Sequence, residues 1–112
     1  MQLAKEIYIV TNSFPSEEKF GLVQQMRRAA VSVPSNIAEG AARQGKKEFR
    51  NFLSVAQGSL SELDTQLELS LILGMLLKER YEQLDVKMLM VDKMLSSLIR
   101  NILKQIEEKK GC

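Results

Sequence analysis

The chain has 112 residues, 45% of them hydrophobic and 27% charged, with a formal net charge of +2, values that fit one globular domain spanning 1–112 with a sizeable core. It contains no histidine, and its one cysteine, Cys112, is the last residue. Catalysis by the commonest neutral-pH base, histidine-based metal sites and an intrachain disulfide are thereby excluded, and a reducing cytoplasmic setting fits. With aromatics at 5% and no tryptophan, the interior is expected to be Leu, Ile, Met and Val packed between helices.

Leu3, Ile7 and Val10 mark a first helix over about 1–11, ended by Asn12-Ser-Phe-Pro15. Ser16 is the expected N-cap of a second helix reaching about Gln44, with Glu17 and Glu18 favoured at its positive end. At 100° per residue, Leu22, Met26, Ala29, Val33 and Ile37 gather on one face, and Arg28, Ser32, Ser35, Asn36, Glu39 and Arg43 on the adjoining one. The polar stripe through Ser32, Ser35, Asn36 and Glu39 reads either as the solvated side of an amphipathic helix or as a hydrogen-bonding contact surface. Pro34 removes a backbone donor inside this helix, so the helix kinks there or stops and restarts at the capping pair Asn36 and Glu39. The constant apolar phase across the proline favours a kink.

Gly45 is the expected left-handed terminator, with a third helix opening at Lys46. Phe49, Phe52, Leu53, Ala56, Leu60, Leu63, Leu67 and Leu71 repeat at three and four residues and make a rod of ~40 Å. Gly58 within it suggests close approach of a neighbouring backbone, and Gly74 closes the rod. A fourth helix over about 78–110 carries Leu84, Met88, Val91, Leu95, Leu98, Ile102 and Ile106. The flanking residues Leu89, Ile99, Leu103 and Met94 widen that seam beyond a two-stranded coiled coil. Met88, Met90 and Met94 are expected to fill core rather than bind haem.

Short connections between long helices predict an all-α, antiparallel up-down-up-down four-helix bundle with a shortened first helix. The end containing Val33, Ile37, Phe49, Leu103 and Ile106 would then lack its fourth wall, so either the true start lies upstream of Met1 or another subunit covers the gap. No apolar stretch reaches about 18 residues without a charge, so no membrane partner is expected, and no secretory leader is evident. Neither a metal nor any other cofactor is expected: Glu-x-x-His pairs cannot form, and Gly40 and Gly45 do not have the spacing of a phosphate-cradling loop.

Residues 27–50 hold six basic side chains (Arg27, Arg28, Arg43, Lys46, Lys47 and Arg50) against Glu39 and Glu48, a local excess of +4 in a chain of net +2. That polarity is compatible with a nucleic-acid or acidic-partner surface and makes the six candidate nucleic-acid-binding residues; a protein-scaffolding module whose charges only solvate it is the alternative.

The runs Phe14-Pro15-x-Glu-Glu-x-Phe20-Gly-Leu, Gln25-x-Arg-Arg-Ala-Ala-x-Ser-x-Pro-Ser-Asn-Ile-Ala-Glu-Gly40, Lys47-Glu-Phe-x-x-Phe-Leu and Gly58-Ser-Leu-x-Glu-Leu-x-Thr-Gln-Leu67 resemble the bacterial four-helix bundle proteins encoded within 23S ribosomal RNA intervening sequences. The resemblance covers nearly the whole chain, and Arg27, Arg28, Pro34, Asn36, Glu39 and Gly40 match the motif. Members usually have a longer first helix, so this chain looks amino-terminally shortened. The family is similar in fold to the accessory protein of diversity-generating retroelements. The resemblance implies a barrel-like homopentamer with a noncatalytic RNA- or partner-binding role.

Overall fold

In the computed structural model, residues 1–18 and 20–110 are described, except the side chains of Lys109 and Lys110. Cys112 lies outside the described residues. Four α-helices form among them, α1 (Gln2–Thr11), α2 (Leu22–Ala41), α3 (Lys46–Ile72) and α4 (Lys78–Lys110), with a short 3-10 turn at Ser16–Glu18 and no strand. Consecutive helices are neighbours, and α1 also packs on α4, so the four close into an antiparallel bundle. The molecule is a rod of 56 × 24 × 19 Å.

The three- and four-residue apolar spacing meets at the axis. Ile7 of α1, Met26 of α2, Leu53 and Leu63 of α3 and Leu95 of α4 are completely buried, and each such side chain contributes about 1.5–3 kcal/mol relative to exposure. The widened seam of α4 divides: Leu84, Met88, Leu95 and Ile102 are buried, whereas Met90 and Met94 are 65% and 49% exposed. Met90 and Met94 are therefore not core fillers as their spacing suggested. They lie on an exposed side of α4.

Pro34 lies inside an uninterrupted α2. The continuing helix follows the apolar phase, and the alternative of a stop and restart at Asn36 is excluded.

Three local expectations are corrected. Ser16 does not cap the second helix: Glu18 N–H bonds the Pro15 carbonyl and Gly21 N–H the Glu18 carbonyl, closing a separate 3-10 turn, and α2 starts only after Gly21. Gly45 is not a left-handed terminator. It is extended (φ −94°, ψ 137°) and precedes α3 as its N-cap, while α2 has already ended at Ala41. Among the described residues, no atom beyond Gly58's own stretch of helix lies within 4 Å of where its Cβ would sit, so no neighbouring backbone approaches it; the close approach is at Gly40, whose added Cβ would lie 2.7 Å from Phe52 Cβ.

Gly74 does end α3, with φ +75°. Met75 N–H bonds the Ser70 carbonyl and Gly74 N–H the Leu71 carbonyl, the paired pattern of a Schellman cap. The expected open end is present in part. Val33 is buried, contrary to expectation, but Ile37, Phe49 and Ile106 are only half-buried and Leu103 is 36% exposed.

Candidate nucleic-acid interface

The six basic residues separate into two groups. Arg27 and Arg28 lie in the first half of α2, about 20 Å along the helix from its end at Ala41 at 1.5 Å per residue. Arg27 is occupied within the fold: its Nε donates to Thr11 Oγ1 at 3.0 Å, its Nη2 donates to Asn12 Oδ1 at 2.9 Å and to the Tyr8 carbonyl at 3.3 Å, and its guanidinium lies 4.6 Å from the Tyr8 ring centroid. It bolts the carboxyl end of α1 to α2. Arg28, one residue and 100° further round, is exposed.

Arg43, Lys46, Lys47 and Arg50 share the opposite end of the rod, because α2 ends and α3 begins there after a four-residue connection. Gly40 makes this junction tight, bringing α2 onto Phe49 and Phe52. The Arg43 guanidinium sits 5.4 Å from the Phe52 ring centroid, and its Nη2 donates to Glu39 Oε1 at 2.6 Å. That i,i+4 pair is about half exposed, so it contributes only a few tenths of a kcal/mol (~0.3–0.5) and leaves Arg43 recruitable. Lys46 donates to Gln105 Oε1, linking α3 to α4 across the end that α1 does not reach.

Lys47 and Arg50 have no hydrogen bond or ion pair among the described residues. They line a groove between α3 and α4 of about 400 Å³ with Asn51, Leu103, Ile106 and Glu107. The first turn of α3 adds positive potential, since Gly45 supplies no side-chain cap to its amides.

The polar stripe of α2 is neither wholly solvated nor wholly free to bind. Ser32 and Ser59 share a hydrogen bond of 2.8 Å between their hydroxyls, joining α2 to α3. Asn36 Nδ2 donates to the Ser32 carbonyl at 2.7 Å and to Ser32 Oγ at 2.9 Å. Glu39 pairs with Arg43, and Ser35 alone of the four stripe residues is exposed without a partner among the described residues.

An acidic groove that sequence reasoning missed runs along the same α3–α4 seam. About 340 Å³ in volume, it is lined by Asp64, Asp85 and Asp92 around Leu60, Met88 and Leu89. Desolvation, then the charges of Asp85 and Glu68, raise the Asp64 carboxyl above its ordinary value. Desolvation followed by Asp85, Glu68 and Asp64 likewise raises Tyr81. The available signal was the i,i+7 recurrence of Asp85 and Asp92 beside an apolar seam, with Asp64 on the facing helix. The α3–α4 face is thus acidic along one stretch and basic at the α2–α3 end.

The model of the 23S rRNA-intervening sequence protein family matches residues 1–97. A crystal structure of a protein with unknown function from the S23 ribosomal protein family of Bacteroides thetaiotaomicron is similar at 27% identity and a TM-score of 0.82, covering 88% of this chain and 89% of that one. No curated protein matches the chain. With the four-helix architecture and a match over most of its length, this chain belongs to the 23S rRNA-intervening sequence protein family.

Proposed function

We propose that this chain is a noncatalytic, self-associating helical bundle that binds structured RNA through the basic end at the α2–α3 junction. The observation that carries the reading is the convergence of Arg43, Lys46, Lys47 and Arg50 at one end of the rod, with Lys47 and Arg50 unpaired among the described residues. Cations held on the rigid ends of packed helices can neutralise phosphates and release their counterions. Arg28 supplies a separate, lesser contact. Arg27 is a structural residue in this reading, since its donors are already engaged.

Self-association is supported by Val86, Leu89, Met90 and Met94, which are 49–65% exposed on one side of α4 and form the kind of patch that marks an interaction surface. A homopentamer is the count that the family resemblance implies. The same patch favours the second reading, a protein scaffold whose charges only solvate it.

Charge reversal separates the two. The triple variant Lys46→Glu, Lys47→Glu, Arg50→Glu should lose binding to a labelled structured RNA in fluorescence anisotropy while keeping its helical circular dichroism and its mass in light scattering. Parent-like RNA binding by the folded triple variant, or no binding by the parent itself, gives the scaffold reading precedence.

A further inference from the structure

The α3–α4 groove at the basic end has a floor that phosphate binding alone does not require. Leu103 is 36% exposed and Ile106 half-buried, and both line it together with Lys47, Arg50, Asn51 and Glu107. Lys47 and Arg50 stand three residues apart on α3, so their side chains emerge on the same face about 5–6 Å apart at Cβ. Both are free of intramolecular partners among the described residues, as is the exposed Asn51. Glu107 lies in the groove's lining, which disfavours a phosphate lying along the floor. The cations of the lining, Lys47 and Arg50, are both on the α3 side.

We infer that this groove holds a single unpaired nucleotide of RNA, with its base on Leu103 and Ile106 and its flanking phosphates on Lys47 and Arg50. The inference rests on the RNA-binding reading above and narrows it from structured RNA in general to RNA presenting an unstacked base. A paired helix offers its base faces only to neighbouring bases, whereas bulges, loops and single strands can place a base against a protein surface and its edge against an amide. The carboxamide of Asn51 can meet such an edge, and the Arg50 guanidinium plane can stack on a base as well as bind phosphate. Charge complementarity narrows the occupant to an anionic one: a neutral or cationic apolar peptide would suit the floor but not the rim.

Three labelled probes test it by fluorescence anisotropy with the full chain: an RNA hairpin with a perfectly paired stem, the same stem with one bulged nucleotide, and a single strand of equal length. The bulged and single-stranded forms should bind about tenfold more tightly than the paired stem, equivalent to ~1.4 kcal/mol. Leu103→Gln should bring the bulged-to-paired affinity ratio down toward one. Asn51→Ala, at an exposed position that does not burden folding, should lower the same ratio. In a bulge labelled with 2-aminopurine, binding to the parent should shift the probe's fluorescence and binding to Leu103→Gln should not. Equal affinity for the three RNAs, or a preference untouched by both substitutions, overturns the inference and leaves RNA binding standing. If no RNA binds, both fall; binding of an acidic peptide in place of RNA overturns the inference in favour of a protein partner.

Discussion

Replacing Gly40 with alanine should destabilise the fold, and replacing Gly58 with alanine should stabilise it. Both glycines are inside helices, where alanine gains ~1 kcal/mol by propensity alone. At Gly58 nothing lies within 4 Å of the new Cβ, so the full gain is expected. At Gly40 the new Cβ would be 2.7 Å from Phe52 Cβ and 2.8 Å from Phe49 Cδ1. Rotation of the Phe49 ring can relieve one contact. Phe52 Cβ is fixed to its backbone, so the helices α2 and α3 must separate by several tenths of an ångström. Overpacking of this kind costs about 1–3 kcal/mol. Offset by the propensity gain, a value near the upper end leaves ~1–2 kcal/mol of net destabilisation. For a chain of this size each kcal/mol moves the midpoint by roughly 4 °C, so Tm should fall by ~4–8 °C for Gly40→Ala and rise by about 4 °C for Gly58→Ala. Thermal melts followed by circular dichroism at one fixed protein concentration measure both, since self-association would make Tm concentration-dependent. A neutral or stabilising Gly40→Ala would refute the assignment of this glycine as the close-packed point of the α2–α3 junction.

Further outcomes follow from the polar contacts. Arg27→Ala should destabilise by about 1–3 kcal/mol through loss of its bonds to Thr11, Asn12 and the Tyr8 carbonyl, and hydrogen exchange should show α1 losing protection well before α3. Asp64 has a raised folded-state pKa, so the native chain binds more protons there than the unfolded one. Its effect on stability should therefore be unfavourable at neutral pH and disappear as pH falls through the raised value toward 3.8. Asp64→Asn should accordingly raise the denaturation midpoint at pH 7 and make little difference in acid, as urea titrations at several pH values would show. Lys46→Glu, Lys47→Glu, Arg50→Glu should eliminate RNA binding with helicity retained.

Much of this fold was legible because the apolar spacing of α3 and α4 is long and uninterrupted, and long periodic segments fix both helix type and phase. The α1–α2 connection was not. Ser16 followed by two glutamates carries the chemistry of an N-cap, yet Pro15 and Gly21 close a separate turn whose backbone bonds leave no sequence period to read. Glycine was ambiguous for a related reason. Gly40, Gly45, Gly58 and Gly74 look alike in one dimension, and only packing distinguishes the point of close approach at Gly40 from open space at Gly58. At the candidate interface the clustering of cations at 43–50 survived folding, because it depends on one short connection. The separation of Arg27 from Arg28 depended on where Thr11, Asn12 and the Tyr8 carbonyl come to rest, and no local pattern encodes that.

The most direct test of RNA recognition at the α2–α3 end is the salt dependence of binding to a single-stranded RNA, measured for the parent and for Lys47→Gln, Arg50→Gln by anisotropy across ~0.05–0.3 M salt. Each phosphate contact contributes a log-log slope of about −0.7. Four contacts per subunit from Arg43, Lys46, Lys47 and Arg50 predict a parent slope near −2.8, and the double variant should be shallower by ~1.4. An unchanged slope in the double variant, or a parent affinity indifferent to salt, would contradict it.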